Sequence, residues 1–372
     1  MELEEVVALL DSWYPPRYAD DWDRVGLVCG DPAAPVRRIL LAVDPVAAVA
    51  DEAVSLGVDL VICHHPLYLR GTSSVAATDP KGRVLHRLLS NGCALFTAHT
   101  NADAPEGGVS EALARALGLE QLRPLDADPA EPLDKIVVFV PVDAAEAVRS
   151  ALTGAGAGAI GDYDSCTFTT SGEGRFRPLA GARPAIGEVG RPEVVDEVRI
   201  ESVCPRPRRA AAVEAMLAAH PYEEPAYDVV ELAALDDSTR GAGRWGRLAE
   251  PTTLRGFAER VATVLPETPH GVRVSGDPDQ PVRTVALCGG AGDFLLDRAR
   301  AAGADVYLTS DLRHHPASEF REHDGPALVD VAHWAAEWTW LPVLAGRLAE
   351  ALGDTVELHV STTNTDPWTF RV

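Results

Sequence analysis

Two adjacent histidines, His64 and His65, form the first candidate metal-binding motif of the chain. They follow the apolar run at residues 59–63, which predicts a buried strand. The regular alternation of side chains stops at a strand end, so adjacent residues can both reach one centre there, and Pro66 stiffens the exit. Imidazole suits zinc, iron, nickel, copper or manganese. A lone histidine pair is more often an ordinary surface or core feature, so this motif needs partners.

A second candidate motif lies near the other end of the chain, where His333 and Glu337 are four residues apart. The apolar run at residues 327–331 predicts a buried strand just before them. On a helix, residues i and i+4 lie on one face, so the imidazole and the carboxylate can reach the same centre. An isolated pair of this kind is more often a hydrogen-bonded surface pair. The nearby Trp334 and Trp338 are more often packing residues than a substrate cage.

A further carboxylate, Asp103, stands in the turn-forming stretch Thr-Asn-Ala-Asp-Ala-Pro-Glu-Gly-Gly, which follows a third predicted strand at residues 94–98. Aspartate in such a stretch is by default a turn former or a helix cap. The sharp turn can nevertheless direct Asp103 back towards the strand ends. His99 and Asn101 are then candidates for groups that orient the metal ligands.

The two ends of the chain share a repeated pattern. His-His-Pro occurs at residues 64–66 and again at residues 314–316, each time after a strand, a helix, a glycine and a second strand. The segments at residues 95–99 and 328–333 are also parallel, since each is a predicted strand that ends in histidine. This repetition predicts two related α/β halves that face each other. Functional groups gather beyond the carboxyl ends of parallel strands, so the repeat favours metal ligation over the surface and turn interpretations.

Hydrophobic periodicity predicts the elements of both halves, beginning with a short helix at the N-terminus. The predicted strands span residues 36–43, 59–63, 94–98, 282–287, 305–309 and 327–331, and the predicted helices span residues 45–56, 82–91 and 293–302. Such alternation is typical of the α/β class with mostly parallel sheets.

A segment of different rhythm separates the halves. Its predicted elements follow the order β-α-β-β-α-β, which is the ferredoxin-like plan, and polar linkers rich in structure-breaking residues flank it. The predicted strands are at residues 136–140, 163–170, 197–203 and 226–232, and the predicted helices at residues 144–152 and 207–219. We therefore expect a first α/β half at residues 1–132, an inserted domain at residues 133–235 and a second α/β half at residues 236–372.

Composition excludes several functional classes. The formal net charge is −23, and Lys81 and Lys135 are the only lysines, so nonspecific binding to nucleic acid or to anionic membranes is not expected. No apolar run has the length of a membrane span, and the acidic N-terminus does not fit a signal peptide. The six cysteines are scattered without a paired motif, which indicates a reducing compartment and predicts a cytoplasmic location.

Several sequence pieces resemble one known family when they are taken in order along the chain. These pieces are DRVGLVCG at residues 23–30, ICHHP at 62–66, AHTNADAPEGGVS at 98–110, GRWGRL at 243–248, YLTSDLRHHPASEF at 307–320 and AHWAAE at 332–337. They are similar to the NIF-three-like dinuclear-metal-centre family, whose members are often called GTP cyclohydrolase 1 type 2 homologues. The middle segment resembles the PII- or CutA-like insertion of the longer bacterial members.

The resemblance implies a set of ligands for two divalent metal ions, of zinc, iron or manganese. These ligands are His64, His65, Asp103, His333 and Glu337, with Glu337 as the bridge between the metals. Five protein ligands for two metals leave positions open for water, as a catalytic site requires. Asp311 and His314 fall in the second His-His motif of the family and are expected to line the cavity behind the ligands.

Two positions depart from the family pattern. Residues 23–25 read Asp-Arg-Val where a sequence closer to Asp-Asn is expected, and residues 310–311 read Ser-Asp where Gly-Glu is commoner. Neither position is one of the five expected ligands, but both bear on substrate contacts.

Two functions remain open at this point. Two neighbouring metals polarise a substrate and lower the pKa of a bridging water towards about 7, which supports a hydrolase. The resemblance implies hydrolytic opening of the guanine ring of GTP and a ring-shaped homo-oligomer, commonly a hexamer. No P-loop is present, so Arg70, Arg244 and Arg247 are candidate phosphate contacts for such a small-molecule substrate.

The competing hypothesis is a non-enzymatic, metal-dependent regulatory or scaffold assembly that senses a small ligand through the inserted domain. Within that domain, the stretch His-Pro-Tyr-Glu-Glu-Pro at residues 220–225 predicts a helix-terminating turn with a packed Tyr222. Cys166 is interpreted as a strand residue rather than a nucleophile, since no specific base can be paired with it.

Overall fold

The computed structural model describes every residue from Met1 to Val372. Its strands are β1 (Gly26–Cys29), β2 (Arg38–Ala42), β3 (Leu60–Cys63), β4 (Ala94–Thr97), β5 (Leu119–Pro129), β6 (Leu133–Pro141), β7 (Phe168–Phe176), β8 (Glu193–Pro205), β9 (Tyr227–Glu231), β10 (Asp236–Thr253), β11 (Val272–Ser275), β12 (Pro281–Ala291), β13 (Val306–Ser310), β14 (Ala327–Val331) and β15 (Glu357–Val360). Its α-helices are α1 (Leu3–Trp13), α2 (Ala47–Leu56), α3 (Pro80–Leu89), α4 (Thr100–Asp103), α5 (Val109–Ala116), α6 (Ala145–Gly154), α7 (Arg209–Ala219), α8 (Leu254–Val264), α9 (Leu296–Ala301), α10 (His314–Glu322), α11 (His333–Trp338) and α12 (Trp340–Leu352).

The chain divides into two compact units. One contains Met1–Asp128 together with Ser238–Val372, and the other contains Pro129–Asp237. None of the helices combines the length and the apolar composition needed to span a lipid bilayer. All six cysteines are free thiols.

The first unit contains a five-stranded sheet in the order β1-β4-β3-β2-β15. Strands β15, β2, β3 and β4 are parallel, and β1 joins the edge antiparallel to β4. Every residue of β3 and β4 is buried, as expected for central parallel strands that are covered on both faces. The carboxyl ends of these strands therefore meet at one edge of the sheet.

A six-stranded sheet in the order β11-β14-β13-β12-β10-β5 completes the first unit. Strands β12, β13 and β14 are parallel, whereas β11 and β10 run antiparallel to their neighbours β14 and β12. The predicted α/β class is confirmed, and the parallel strands are the ones that the sequence patterns identify most clearly.

The two sheets do not follow the division of the sequence into an N-terminal and a C-terminal half. The C-terminal strand β15 pairs with β2 of the five-stranded sheet, and β5 belongs to the six-stranded sheet. Periodicity identifies a strand but carries no information about the partner with which it forms hydrogen bonds. Each sheet therefore contains strands from both the N-terminal and the C-terminal part of the chain.

Alternating residues of the parallel strands enter different cores. Ile39, Ile62 and Phe96 of the five-stranded sheet share one core with Leu287 and Leu308 of the six-stranded sheet. The opposite faces form separate outer clusters, one against α2 and α3 and one against α9 and α10. The shared core fixes the positions of the two sheets relative to each other within this unit, because close packing tolerates little displacement.

The second unit is a four-stranded antiparallel sheet in the order β7-β8-β6-β9. Its elements follow each other as β6-α6-β7-β8-α7-β9, and Ile136, Val138 and Ile200 pack on one face with α6 and α7. The strand predicted at residues 163–170 lies instead at Phe168–Phe176. A β-bridge between Ile160 and Tyr163 and the positive φ of Ser165 interrupt extended pairing before that strand.

The separate cores predict that a cavity in the second unit leaves the first unit intact. The fully buried Ile200 contributes only to the core of the second unit, so Ile200→Ala is expected to lower the free energy of unfolding of that unit by about 2–5 kcal/mol. All seven tryptophans lie in the first unit. Chemical denaturation followed by circular dichroism should show the loss, and tryptophan fluorescence should keep its midpoint. An equal shift of both signals would contradict separate cores.

Candidate metal centre

Residues from three strand ends converge on one centre in the first unit. His64 and His65 directly follow β3, Asp103 is the last residue of α4 after β4, and His333 and Glu337 lie on α11 after β14. Glu337 is 3% exposed and connects the two sheets, because its carboxylate oxygens lie 2.7 Å from His333 Nε2, 3.1 Å from His65 Nε2 and 3.5 Å from His64 Nε2. Asp103 Oδ1 lies 3.5 Å from His64 Nε2. The structure therefore brings together all five residues that the sequence nominated as ligands.

His99 also belongs to this cluster of rings. The ring centroid of His99 is 5.1 Å from that of His64 and 5.5 Å from that of His65, and His65 and His333 are 5.3 Å apart. Two groups of potential ligand atoms result, one formed by His64, His65 and His99 and the other by His65, His333 and Glu337. The sequence interpretation placed His99 behind the ligands, whereas the structure places its ring among them.

Each of the four imidazoles has its Nδ1 engaged with an acceptor away from the centre. A carbonyl or carboxylate acceptor requires that Nδ1 carries the proton and donates it, which leaves the lone pair of Nε2 for a metal ion. The pairs are His64 with the carbonyl of Ala98 at 2.9 Å, His65 with Asp44 at 2.7 Å, His99 with Asp23 at 2.9 Å and His333 with Asp311 at 2.7 Å.

The three carboxylates that hold these rings also come from strand ends. Asp44 lies two residues after β2, Asp23 precedes β1, and Asp311 follows β13 with a positive φ of 58°. The sequence motifs assign no role to Asp44, and they include Asp23 only as part of a family motif. The signal that could have identified Asp44 is its place at the carboxyl end of a parallel strand.

Three buried polar atoms at the centre have no hydrogen-bond partner. They are His64 Nε2, Asp103 Oδ1 and Glu337 Oε2. Buried polar atoms are normally paired, because an unpaired one costs the free energy of its lost hydration. A cation between these atoms would satisfy all of them, and a donor set of imidazoles with carboxylates suits zinc, iron or manganese. The residues therefore fit the metal ions that the family resemblance implies.

The electrostatics of the centre differ between its two carboxylates: burial and the neighbouring Glu337 hold the pKa of Asp103 well above its usual range. Burial raises the pKa of Glu337, but the surrounding imidazoles, led by His65, outweigh it and hold that pKa well below its usual range. Burial lowers the pKa of His65, yet Glu337 and Asp44 raise it to about 11, and the pKa of His333 rises in the same way to about 10. A metal ion therefore has to displace protons from these imidazoles, so metal binding weakens as the pH falls.

A glycine makes room for the two ligands on α11. Gly290 has a φ of 77°, and a Cβ atom built on it would lie 2.6 Å from Glu337 Oε1 and 3.2 Å from His333 Nε2. Any larger residue would displace both ligand atoms and would also strain the backbone. The end of β12 thus approaches the centre only through its bare backbone.

Two other residues that were expected near the ligands, Asn101 and His314, have different surroundings. Asn101 is fully buried, accepts a hydrogen bond from the backbone N–H of His99 and donates one to the carbonyl of Tyr14, so it shapes the start of α4. His314 is an exposed residue at the start of α10, where its ring contacts His315. The structure does not bring His314 to the centre, and the second His-His-Pro motif begins a helix there.

The expected phosphate contacts are not placed to hold a substrate at the centre. Arg244 is 1% exposed and its guanidinium donates to the carbonyls of Ala104 and Pro105 at 2.8 and 2.9 Å, as well as to other carbonyls of its own strand. This arginine therefore holds the turn after Asp103. Arg70 is exposed, and Arg247 lines a groove that contains no residue of the centre.

A cavity of about 570 Å³ opens beside the centre. Its walls include Asp103, Glu337, His99 and His333, so a molecule in the cavity can reach the candidate ligands. The remaining walls include the rings of Tyr18, Trp22 and Phe294, the carboxylates of Asp20 and Asp128, and the backbone of residues 289–291. No lysine or arginine is among the wall residues. This volume is within the range of small-molecule binding sites.

The fold and the site together define a mixed α/β protein with a candidate metal centre made of histidine and carboxylate. This chain belongs to the Duf34/NIF3 (NGG1p interacting factor 3) family, whose sequence profile matches residues 1–367. The resemblance that the sequence motifs indicate is thereby confirmed.

Relatives of known sequence and structure extend over nearly the whole chain. The GTP cyclohydrolase 1 type 2 homolog of Mycobacterium tuberculosis is 50% identical over 369 residues, which cover 99% of this chain and 97% of the relative. The homolog of Bacillus subtilis is 39% identical over 374 residues, with 99% and 98% covered. Among solved structures, a Bacillus cereus protein related to NIF3 matches with a TM-score of 0.80 at 39% identity, covering 100% of this chain and 99% of the other. Staphylococcus aureus protein SA1388 matches with a TM-score of 0.85 at 27% identity and the same coverage.

The hydrogen bond from His65 to Asp44 predicts a loss of metal affinity in Asp44→Asn. The amide cannot supply the negative charge that holds Nδ1–H and strengthens the ligand, so affinity is expected to fall about 10- to 100-fold. Chelator competition measures this affinity. The matched control is Asp51→Asn on α2, because Asp51 forms only an exposed ion pair with Arg87. An unchanged affinity in Asp44→Asn would mean that this hydrogen bond does not orient a ligand.

The burial of Arg244 predicts that Arg244→Met destabilises the first unit by about 3–5 kcal/mol, because several carbonyls and Glu111 lose their partner. Thermal or chemical unfolding followed by tryptophan fluorescence measures this loss. Arg247→Met is the control and should change stability by about 0.5 kcal/mol or less. Normal stability in Arg244→Met together with weakened binding of a phosphorylated ligand would instead support the phosphate-contact hypothesis.

Proposed function

We propose that this protein is a metal-dependent hydrolase that holds two divalent ions and acts on a small, nucleotide-like molecule. The observation that carries the proposal is the set of unpartnered buried atoms, His64 Nε2, Asp103 Oδ1 and Glu337 Oε2, which lie at the junction of two groups of potential ligands. The two groups overlap at His65, so their donor atoms form one continuous cluster, in which the two-oxygen carboxylate of Glu337 could serve two neighbouring ions.

The ligand residues divide between two positions in this proposal. Glu337 would serve both ions, because its Oε1 lies near His64 and His333 and its Oε2 lies near His65. His99 and Asp103 would complete the set on the side of His64. Two divalent ions at such a site polarise a substrate oxygen and make water a stronger nucleophile. The chain itself supplies the fixed orientation of the rings through the Nδ1 hydrogen bonds.

The adjacent cavity supports a flat substrate. Trp22 and Phe294 are 56% and 65% exposed and offer ring surfaces on which a heterocyclic base can stack, whereas Arg17 and Arg240 lie over the ring of Tyr18. Because the walls carry carboxylates and no lysine or arginine, they favour the base over a chain of phosphates. The names of the relatives, GTP cyclohydrolase 1 type 2 homolog, are compatible with such a base-directed reaction.

The wider proposal includes assembly and location. We infer a homo-oligomer, a ring-shaped hexamer in the form that the family resemblance implies, in the cytoplasm and without nucleic-acid or membrane partners. The net charge of −23 supports the exclusion of those anionic partners. The element order of the second unit supports its interpretation as an inserted ferredoxin-like domain.

Metal content and turnover test this proposal together. The purified chain, loaded with manganese, iron or zinc, is expected to hold two ions per chain by mass spectrometry and to hydrolyse a member of a nucleotide and nucleobase panel. Glu337→Gln should abolish turnover and release at least one ion, because it removes the charge that both positions share. The control Glu350→Gln changes an exposed glutamate on α12 and should alter neither result.

The outcomes separate the two candidate functions. One ion or none per chain would contradict the two-metal site. Two ions without turnover on the full panel would overturn the hydrolase and favour the regulatory assembly, in which the metals have a structural or sensory role. Turnover that persists in Glu337→Gln would show that the reaction takes place elsewhere.

A further inference from the structure

A separate cavity of about 250 Å³ lies within the second unit. Phe139 and Glu197 line it, and both alternate along their strands with core residues that face the helices, Val138 and Val140 on β6 and Val198 on β8. Successive side chains of a strand point to opposite faces, so the cavity lies on the sheet face away from α6 and α7. None of its lining residues belongs to the metal centre.

A carboxylate is held in a fixed place within this cavity. The phenol of Tyr222 donates a hydrogen bond of 3.0 Å to Glu197 Oε1. Tyr222 is itself fixed by His220, which accepts from the backbone N–H of Tyr222 at 3.1 Å and donates through Nε2 to the carbonyl of Phe139 at 3.0 Å. The turn that the sequence predicts at residues 220–225 thus aims a donor at Glu197 and leaves Glu197 Oε2 for another partner.

The strand next to Glu197 has no side chain where the carboxylate lies. A Cβ atom built on Gly174 would be 2.2 Å from Glu197 Oε2, so only glycine allows this position. On the same strand, Phe176 lies in the cavity wall, with its ring centroid 5.7 Å from that of Tyr222 in an edge-to-face arrangement. The cavity therefore combines one directed carboxylate with an aromatic surface.

Some of the charged side chains around the cavity have an ion-pair or hydrogen-bond partner, and others have none. Arg175 pairs with Glu173, and Glu223 binds Arg183 through its backbone N–H and its side chain. Arg177 and Glu224, by contrast, line the same cavity as Glu197 without a hydrogen bond or ion pair to another residue. An unpaired cation and a directed anion in one small cavity with both charged and apolar walls are complementary to a ligand that carries both charges.

The geometry points to a binding site for a free α-amino acid with an apolar or aromatic side chain. Its ammonium group binds Glu197, its carboxylate binds Arg177, and its side chain packs against Phe139 and Phe176. The volume of about 250 Å³ lies below the range for drug-sized ligands and is too small for a nucleotide. The site does not depend on the hydrolase proposal.

The test is direct binding to the full-length chain by calorimetry, in the presence of a chelator so that no amino acid binds through metal. The twenty standard L-amino acids are screened first. The tightest ligand is then compared with its N-acetyl derivative, which lacks the ammonium group, and with its decarboxylated amine. Both analogues should bind at least tenfold more weakly.

Three variants locate the site. Glu197→Gln keeps an acceptor for Tyr222 but removes the charge, and Arg177→Gln removes the exposed cation, so each should weaken binding at least tenfold. Glu214→Gln, on the exposed face of α7, is the matched control and should leave the affinity unchanged. Circular dichroism verifies that each variant is folded.

Saturable binding of one amino acid per chain, with these losses, supports the site. The proposal is overturned if no amino acid binds at millimolar concentration or if Glu197→Gln and Arg177→Gln bind as tightly as the unmodified chain. Equal affinity for the N-acetyl derivative or for the amine would also overturn it, since one of the two charge contacts would then be absent.

Discussion

The orientation of four imidazoles is the constraint on which the candidate metal centre depends. Each ring presents Nε2 to the centre only because its Nδ1 donates to an acceptor on another strand end or loop. A ring without that hydrogen bond could rotate or change tautomer and would lose the ligand geometry. The acceptors come from both sheets of the first unit. The shared core that positions those sheets therefore also fixes the positions of the candidate ligand atoms.

The carboxylate Asp103 depends on a helix too short to be stable by itself. Helix α4 has four residues, and an isolated helix of that length does not persist. Asp23 holds its beginning by accepting hydrogen bonds from His99 and from the backbone and hydroxyl of Thr100. Arg244 holds the turn after it through the carbonyls of Ala104 and Pro105. Residues distant in sequence thus position a ligand that its local sequence could not.

The parallel strands could be predicted from the sequence because burial and periodicity are local properties. The strand at Ala327–Val331 matches the predicted bounds, and the five nominated ligands meet at one place. Two features that depend on tertiary contacts were not predicted. They are the pairing of β15 with β2 and the hydrogen bond between His65 and Asp44. The repeated His-His-Pro was misleading at His314 because identical tripeptides can end a strand or begin a helix, and only the surrounding turn decides which.

Charge balance gives a physical reason to expect two ions rather than one. Five carboxylates, those of Asp23, Asp44, Asp103, Asp311 and Glu337, contact the four imidazoles of the centre. When all five are ionised, as metal ligation by Asp103 requires, one divalent ion among neutral imidazoles would leave a net charge of about −3 in a partly buried region, whereas two ions would leave about −1. Without metal, the raised pKa values of His65, His333 and Asp103 indicate that protons take over this balancing role. A second ion would therefore replace charge that the centre otherwise obtains from bound protons, so this cluster of carboxylates favours two ions over one.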